Sequence, residues 1–496
     1  MRLVDESTWK RHARWTELGY YELRTADTRE VPVRLFLSEI LLRDAETTLY
    51  RQIVNATRFP GTKMVVITPD VHFGYGVPVG CVILTDRHEG AVAMGPVGFD
   101  IGCGMMSARS DVSAERATPD RKLAFNREVM KRVDFGPGGK SKKLSGLTDR
   151  EFQELVRGGA EHYVAKYGAA FDRTRAERHR IPVRDGWKIP YGMRGSPERG
   201  TSQLGSLGGG NHFIELQREE ESGKLWVQVH TGSRGFGHGL ATNYFDLARS
   251  ESPDTITELD LGYFTPRSKH FKGYLDAVAA GGNYAIVNRL VLFEQIADAF
   301  EKVFREELKL FYEISHNLVQ EEDHPELGKV WVHRKGATRA FPAHHPTLAG
   351  TPWEETGHPV LIPGSNRDWS FILRPCAGAV RSGFSVNHGA GRRMSRGEAK
   401  RSLSQEKVDE QYRREGIIVN DDAHVPLDES AQCYKRCEDV VAVVVGAGLA
   451  TIEHRLWPLA SLKGVDRDPS RSRGHKTSEK RRHKDRDDAR RLKRGE

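Results

Sequence analysis

The pattern of apolar and polar positions divides the chain into strand-like and helical stretches. Between about residues 61 and 250, short apolar runs rich in β-branched residues alternate with glycine-rich loops, which indicates strands joined by tight turns. The runs at 64–68 (MVVIT) and 79–84 (VGCVIL) predict two strands separated by a polar loop at 69–78. Residues 330–395 repeat this alternation of strands and glycine-rich loops.

A helical pattern dominates residues 284–322, and a shorter one lies around 44–58. Steps of four and three residues separate the apolar positions, as on one face of an amphipathic helix. This stripe comprises Ile286, Leu290, Phe293, Ala297, Phe300 and Phe304. We interpret it as core, and we expect His316 and Asn317 to lie on the continuation of the helix or just past it. Residues 440–452 (VVAVVVGAGLATI) fit either a strand or a buried helix.

A β-hairpin is predicted over residues 212–230. HFIELQ and LWVQVH are strands by composition, and the polar segment between them forms the turn. A symmetric register opposes Leu216 and Trp226, Phe213 and Val229, and His212 and His230. Two imidazoles are therefore expected at the open end of the hairpin, although a slip of one residue would break this pairing.

The net charge of +8 is concentrated at the end of the chain. Residues 464–496 contain 13 Lys/Arg and 7 Asp/Glu, a net of +6, so about +2 remains for all other residues. Because this segment has almost no apolar residues, we expect a disordered basic tail that either solubilises the protein or contacts nucleic acid weakly. The remaining predicted divisions are an N-terminal segment, 1–60, packed on the main domain, 61–463.

The sequence favours a cytoplasmic protein. Its five cysteines are an odd number and match no disulfide framework, which indicates a reducing compartment. No apolar run reaches the roughly 18 residues that a membrane span requires. The N-terminal sequence MRLVDESTWKRHARW contains no apolar signal core.

Five side chains suited to metal binding stand in or beside glycine-rich and polar loops. They are Asp100, Cys103, His212, His230 and His316. A carboxylate, a thiolate and imidazoles together suit a borderline-soft ion such as Zn, Mn, Fe or Co. Each residue alone is more often structural, but the set suffices for one complete site or for two sites that share a ligand. Two neighbouring ions would suit phosphoryl transfer.

Another glycine-rich loop, VNHGAGRRMSR, surrounds His388. Small residues leave room for a phosphate, and a histidine nitrogen can form a covalent bond to phosphorus; a histidine on a tight turn is the structural alternative. Arg234, Lys335 and Arg392 lie beside such loops and are candidates for binding substrate phosphates. The chain has neither a P-loop nor a K-x-D-G motif, so a histidine is the expected site of any nucleotide activation.

Nine motifs, in the same order between about residues 60 and 464, resemble those of the RtcB-type RNA ligases. They are PDVHFGYGVPVGC, GFDIGCGM, SLGGGNHFIEL, HTGSRGFGHG, SHN, VHRKGATRAFP, PVLIPGS, NHGAGRRMSR and LASLKG. The resemblance implies an α+β fold with mixed β-sheets in a sandwich-like core flanked by helices. It also implies an enzyme that uses GTP and two Mn²⁺ ions. Such an enzyme joins RNA ends bearing a 2′,3′-cyclic phosphate or 3′-phosphate to ends bearing a 5′-hydroxyl, in RNA repair or tRNA splicing.

The resemblance also assigns roles to individual residues. Asp100, Cys103, His230 and His316 would bind one Mn²⁺, while Cys103 and His212 would bind the other. His388 would become guanylylated, and Asp70 would orient its imidazole. The GTP-binding residues would be Asn211, His212, Phe213, Ile214, Glu215, His316, Asn317, Pro363, Gly364, Ser365, Asn366, Ser370, His388, Gly389, Ala390, Gly391, Tyr434 and Lys463. A monomer is expected, with an archease-type protein as a candidate activator.

The segment after PVLIPGS departs from the family pattern. The family usually has P-G-S-M-G, whereas this chain has Asn366 and Arg367 after PGS, then Asp368 and Trp369 before Ser370. Arg367 replaces a glycine of the kind that supports unusual backbone conformations, and the change bears on GTP affinity. Two alternatives therefore stay open. One is a paralogue that guanylylates or hydrolyses RNA end phosphates without sealing, and the other is a non-catalytic RNA-binding factor that uses the basic tail.

Overall fold

Two large β-sheets and the helices packed against them form the core of the protein. The computed structural model describes residues 4–144, 146–167, 180–198, 200–251 and 259–464. Within these ranges the strands are β1 (Ala13–Trp15), β2 (Tyr21–Leu23), β3 (Val33–Leu35), β4 (Thr62–His72), β5 (Val79–Asp86), β6 (Val92–Ala93), β7 (Gly104–Ser113), β8 (Phe213–Glu219), β9 (Lys224–Thr231), β10 (Tyr263–Phe264), β11 (Lys309–Ser315), β12 (Asn317–His324), β13 (Gly328–Lys335), β14 (Ala337–Arg339), β15 (Val360–Ile362), β16 (Ser370–Pro375), β17 (Ser385–Asn387), β18 (Ile418–Val419) and β19 (Ala450–Lys463). The α-helices are α1 (Glu39–Asp44), α2 (Leu49–Ala56), α3 (Pro119–Arg132), α4 (Asp149–Tyr167), α5 (Gly200–Gln203), α6 (Arg234–Glu251), α7 (Phe271–Phe304), α8 (Arg396–Ser402), α9 (Gln405–Arg414) and α10 (Cys437–Gly446).

The first sheet has the strand order β1-β2-β3-β4-β5-β13-β12. It is mixed, because β3 and β4 are parallel while the other neighbours are antiparallel. One face packs against α1 and α2 through a cluster that includes Leu42, Ile53 and Ile67. The N-terminal strands β1 to β3 thus extend the same sheet as β4 and β5.

The second sheet has the order β11-β7-β9-β8-β19-β16-β15, and β18 pairs in parallel with β19. Because side chains alternate between the two faces of a strand, Ile214 and Leu216 of β8 turn to one face. There they pack with residues of α3 and α7, such as Phe125 and Phe300. Phe213 turns to the opposite face and belongs to a separate cluster.

The two sheets meet through an apolar layer, here named the inter-sheet core. In it, Val66 and Val332 of the first sheet lie in one cluster with Ile362 and Phe371 of the second. Helices cover the outer faces, with α1 and α2 on the first sheet and α3 and α7 on the second. The expected α+β class, with mixed sheets in a sandwich-like core flanked by helices, is confirmed.

The strands predicted at 64–68 and 79–84 are confirmed as parts of β4 and β5. The predicted loop at 69–78 is wrong in its first four residues, because β4 continues to His72. The helix predicted over 284–322 is wrong in its second half. α7 ends at Phe304, where Arg305 adopts a left-handed conformation (φ 60°), and β11 and β12 follow. His316 therefore lies at the junction of two strands rather than on a helix. The apolar stripe up to Phe304 is core, as expected.

The predicted hairpin is formed by β8 and β9, but its predicted register is wrong by one residue. Phe213 pairs with His230, and Leu216 pairs with Val227. The turn consists of the four residues 220–223 and is centred between residues 221 and 222, whereas the predicted hairpin was centred on residue 221. Residues 440–452, predicted as either a strand or a buried helix, contain both: α10 ends at Gly446 and β19 begins at Ala450.

The predicted basic tail, 464–496, lies outside the described residues except for Gly464. Among the helices in the described part of the chain, none has both the length and the apolar character needed to cross a membrane.

Candidate active site

Four of the predicted metal ligands meet where four neighbouring strands of the second sheet begin or end. Strands β11, β7, β9 and β8 are consecutive antiparallel neighbours. The end of β11, the start of β7, the end of β9 and the start of β8 therefore lie side by side. Cys103 precedes β7, His212 precedes β8, His230 lies near the end of β9, and His316 follows β11. The strand order thus gathers side chains that are far apart in the sequence.

These side chains are in direct contact. Cys103 Sγ lies 3.3 Å from His230 Nε2 and 3.5 Å from His212 Nε2. His230 Nε2 and His316 Nε2 are 3.2 Å apart, and His212 Nε2 is 3.1 Å from Asp100 Oδ2. The ligand atoms form two groups, each within 4.8 Å, and Cys103 belongs to both. Asp100 is grouped with Cys103 and His212, whereas the resemblance implied that it joins His230 and His316.

Backbone carbonyls orient two of the histidines. His212 Nδ1 is 3.0 Å from the carbonyl oxygen of Leu207, and His230 Nδ1 is 3.2 Å from that of Asn211. Because a carbonyl oxygen accepts, each Nδ1 carries the proton and each Nε2 presents a lone pair to the cluster. This arrangement is the one that a metal-binding imidazole requires.

The protonation behaviour of the cluster also favours a cation. Burial, followed by the neighbouring imidazoles, holds the pKa values of His230 and His316 well below the usual value. Both imidazoles are therefore uncharged near neutral pH and can donate a lone pair to a metal ion. Burial raises the pKa of the Cys103 thiol well above its usual value, so a thiolate here needs a compensating positive charge. His316 Nδ1 is buried and has no hydrogen-bond partner among the described residues. The donor set therefore fits a borderline-soft divalent ion.

His388 lies beside this cluster and is held by Asp70. Its ring centroid is 4.7 Å from that of His316, and its Nδ1 is 2.6 Å from Asp70 Oδ2. The backbone N–H of His388 donates to the same oxygen, and the hydroxyl of Thr68 donates to the other. Burial alone would raise the pKa of Asp70, but the charge and hydrogen bond of His388 outweigh it and lower that pKa. With Nδ1 engaged, Nε2 is the nitrogen available for bonding to phosphorus.

The loop that carries His388 needs glycine where it approaches β4. Gly391 has φ 78°, and a Cβ at this position would lie 2.0 Å from the carbonyl oxygen of Asp70. An L side chain would therefore be strained in its backbone and would collide with its neighbour. The absence of a side chain at Gly391 keeps Asp70 and His388 in contact.

A cavity of about 420 Å³ connects the cluster with His388, a size typical of small-ligand pockets. Most of the predicted site residues line it. They are Asp100, Cys103, Asn211, Phe213, His230, His316, Asn317, Lys335, Pro363, Gly364, Ser365, His388, Gly389, Ala390, Gly391, Arg392, Tyr434 and Lys463. The predicted site residues outside the lining are Asp70, His212, Ile214, Glu215, Asn366, Ser370 and Arg234.

Several of the residues outside the lining support the cavity wall. Ile214 faces the helices on the other side of β8, so its side chain does not reach a ligand. The Ser370 hydroxyl accepts from the backbone N–H of Gly364 at 3.0 Å and thereby fixes the Pro-Gly-Ser loop. The hydroxyl of Tyr412 donates to Asn366 Oδ1. Ile214 therefore faces away from the cavity, whereas Ser370 supports the cavity wall through Gly364, a lining residue.

Arg234 does not line the cavity. Its guanidinium donates to the Ser206 hydroxyl at 3.2 Å and to the Gly136 carbonyl oxygen at 2.9 Å. Burial lowers its pKa. Its bonds to these two loops show a role in holding them together.

Glu429, which sequence reasoning did not single out, gathers cationic side chains at the cavity. Its carboxylate lies 2.5 Å from Arg396 Nη2, 3.2 Å from Lys463 Nζ and 3.5 Å from Arg392 Nη1. The hydroxyl of Tyr434 donates to it at 2.6 Å. Burial alone would raise its pKa, but Lys463 and Arg396 outweigh burial and lower it. The segment PLDESAQCYK gives no local sign of this network, because the three cationic partners lie outside it in the sequence.

The residues that depart from the family pattern turn away from the cavity. Arg367 forms an ion pair with Glu415 at 2.7 Å, and Asp368 Oδ2 accepts from the backbone N–H of Cys437 at the start of α10. The ring of Trp369 packs against a tryptophan of β19. None of these loop residues has a positive φ, so Arg367 causes no strain of the kind that the glycine replacement suggested.

The fold and this site define an α+β protein with a cluster of Cys, His and Asp side chains suited to metal binding, beside a histidine that a carboxylate holds. The family described as tRNA-splicing ligase RtcB matches residues 52–464. A tRNA-splicing ligase RtcB of Pyrobaculum aerophilum is 34% identical over 470 residues, covering 88% of this chain and 95% of the relative. An RNA-splicing ligase RtcB of Mycobacterium bovis is 35% identical over 439 residues, covering 83% and 100%. The chain therefore belongs to the RtcB family, as its motifs indicated.

Proposed function

We propose that this protein is a GTP- and Mn²⁺-dependent RNA ligase that acts through a guanylylated histidine. It would join 2′,3′-cyclic phosphate or 3′-phosphate ends to 5′-hydroxyl ends, in RNA repair or tRNA splicing. The observation that carries the proposal is the contact between the rings of His316 and His388, 4.7 Å apart, because it supports a nucleophilic role for His388 next to the proposed metal ligands. The names of the relatives, which are tRNA-splicing or RNA-splicing ligases, support RNA as the substrate.

The two groups of donors are proposed to hold two ions that share the Cys103 thiolate. One group is Cys103, His230 and His316, and the other is Asp100, Cys103 and His212. Divalent cations bound there would offset the negative charge of the GTP and RNA phosphates. Their identity as Mn²⁺ rests on the family resemblance.

His388 is proposed to perform the first step as a nucleophile. Its Nε2 lone pair attacks the α-phosphorus of GTP, an N–P bond forms, and pyrophosphate leaves. Asp70 keeps the proton on Nδ1 and stabilises the positive charge that the ring gains. Gly389 and Ala390 leave space beside the ring for the phosphate.

Two further displacements complete the proposed reaction. A 3′-phosphate oxygen of the RNA attacks the phosphorus on His388, which restores the imidazole and leaves GMP on the RNA end. The 5′-hydroxyl of the second RNA attacks the RNA phosphate and expels GMP, while a cyclic phosphate is first opened by water. Lys335 and Arg392 line the cavity and are proposed to contact the substrate phosphates. Burial lowers the pKa of Lys335 to about 8, so it remains mainly charged at neutral pH.

The guanosine is proposed to lie between aromatic and cationic groups at the other end of the cavity. Lys463 Nζ lies 5.1 Å from the ring centroid of Phe213, and the Arg392 guanidinium lies 5.0 Å from that of Tyr434. Both rings line the cavity, and aromatic rings stack on nucleobases without strong sequence preference. Discrimination for guanine would then fall to polar neighbours such as Asn211.

The test of this proposal is intact-mass analysis after incubation with GTP and MnCl₂. We expect the wild type to gain the mass of one GMP and His388→Ala to gain none. His424→Ala is a matched control, because His424 is exposed and pairs with Asp409 at 3.0 Å. If the wild type does not gain the mass of a GMP, the proposed reaction is refuted.

Two other outcomes would identify the alternatives. Transfer of GMP to a 3′-phosphorylated RNA without a joined product would indicate a paralogue that does not seal. RNA binding that survives both His388→Ala and a chelator, but not removal of residues 464–496, would indicate a non-catalytic RNA-binding factor.

We also propose a cytoplasmic monomer with an archease-type activator as partner. All five cysteines are unpaired, which suits a reducing compartment. Light scattering of the purified chain tests the monomer, and turnover with and without the added activator tests the partnership.

A further inference from the structure

Residues 73–77, between β4 and β5, form a segment that we name the aromatic loop. It presents two exposed rings, because Phe73 is 53% and Tyr75 is 58% exposed. Tyr75 also lines the cavity that contains His388. Covering such rings with a planar partner would be favourable, so the loop is a candidate for ligand contact.

The backbone of the aromatic loop is fixed from one side by helix α2. Gln52 forms a two-way contact with Gly74, in which Nε2 donates to the carbonyl oxygen and Oε1 accepts from the backbone N–H at 3.0 Å. Asn55 Nδ2 donates to the carbonyl oxygen of Gly76 at 3.0 Å. The loop conformation therefore depends on these amides and does not require the exposed rings.

Lys335 fixes the aromatic loop from the side of the cavity. Its ammonium donates to the carbonyl oxygens of Tyr75 at 2.7 Å and Val77 at 3.1 Å, and Lys335 itself lines the cavity. A positive charge therefore contacts the backbone of the loop at the residue that carries one of the exposed rings. This combination is typical of surfaces that bind single-stranded nucleic acid, where cations attract the backbone and rings stack on the bases.

We propose that the aromatic loop is a stacking platform for a terminal base of the RNA that enters the cavity. This inference rests on the proposed function and adds to it the contact that positions the RNA end. Tyr75 and His388 line the same cavity, so a base stacked on Tyr75 would keep the RNA end at the cavity that contains His388. Two rings are too small an area for a stable protein–protein interface, which needs about 800 Å² from each partner, but they match the size of stacked bases.

The test compares Phe73→Ala and Tyr75→Ala with Trp15→Ala. Trp15 is a matched control, because it is 59% exposed on β1 and lies outside the cavity lining. With a short single-stranded RNA that carries a 3′-phosphate, we expect each loop variant to raise the KM at least about five-fold. Tyr75→Phe should restore the wild-type value. Because both rings are exposed, the melting temperature of each variant should stay that of the wild type.

Attachment of GMP without RNA separates failure of this inference from failure of the proposed function. If the wild type attaches no GMP, the proposed function fails. If it attaches GMP but the loop variants keep the KM of Trp15→Ala, the stacking platform is overturned. Loss of binding to a protein activator with unchanged RNA binding would also overturn it.

A double-mutant cycle with abasic RNA identifies the end that stacks. One RNA lacks the base next to the 3′-phosphate, and the other lacks the base next to the 5′-hydroxyl. If a base stacks on Tyr75, then Tyr75→Ala costs little further affinity once that base has been removed. Additive effects with both RNAs would contradict stacking.

Discussion

Asp70→Asn tests how far the carboxylate beneath His388 contributes to the proposed chemistry. In the native protein its oxygens accept three hydrogen bonds, two from His388 and one from the hydroxyl of Thr68. An asparagine has the same shape but only one oxygen, so it cannot accept all three. It also removes the negative charge that would stabilise a positively charged ring during attack on GTP.

The magnitude follows from the 2.6 Å contact between Asp70 Oδ2 and His388 Nδ1. A hydrogen bond to a charged group contributes about 1.5–3 kcal/mol. If the whole contribution is expressed as the ring gains charge, the rate of GMP attachment falls about 10-fold to about 150-fold. The unsatisfied buried amide would cost about 1–3 kcal/mol of folding free energy.

The assay is single-turnover transfer of GMP from labelled GTP at a temperature where the variant is folded. Asp27→Asn is the control for the loss of stability, because Asp27 is also buried and accepts from the hydroxyl of Tyr50, away from the cavity. We expect Asp27→Asn to keep the wild-type rate. A folded Asp70→Asn protein with the wild-type rate would refute the argument that the carboxylate holds and polarises His388.

Three further predictions follow from single contacts. Cys103→Ala removes the thiol that both ligand groups share, so the bound Mn²⁺ measured after dialysis should fall toward zero; an unchanged metal content would contradict the shared site. Burial raises the pKa of Glu215 from 4.5 to about 7, so the folded state retains a proton that the unfolded state loses. As the pH rises from 4.5 to about 7, the unfolding free energy of the wild type relative to that of Glu215→Gln should fall by up to about 3 kcal/mol. Urea unfolding of both proteins at these two pH values measures the difference, and a difference that does not change with pH would contradict the raised pKa. Gly391→Ala should lower the unfolding free energy by at least about 1–2 kcal/mol and slow GMP attachment, because its Cβ would collide with Asp70. Gly446→Ala is the control, because nothing lies within 4 Å of a Cβ at that position, and it should leave the melting temperature and the rate unchanged. Equal effects of the two substitutions would contradict the collision.

The strands and the candidate ligands were predictable because each has a local signal. Runs such as 64–68 are β-branched, and Asp100 and Cys103 stand among glycines. The grouping of the ligands has no local signal, because it depends on the order β11-β7-β9-β8 in the second sheet. The sequence therefore indicated the candidate donors, while the strand order brings Asp100 into contact with His212.

The wrong predictions arose where two structures satisfy one pattern. Leu308, Phe311 and Ile314 continue the four- and three-residue spacing of the helix that precedes them, and all three are buried. They nevertheless belong to the approach to β11 and to β11 itself, because the left-handed Arg305 ends the helix.

The two halves of the candidate site are built on different sheets. Cys103, His212 and His230 stand at the edge of the second sheet, whereas Asp70 belongs to β4 of the first. The spacing between nucleophile and ligands is therefore set by how the inter-sheet core packs, through residues such as Val66 that touch no reactant. A substitution that removes one methyl group from this buried layer would therefore change the distance between His388 and the Cys/His cluster, with every side chain of the candidate site left chemically intact.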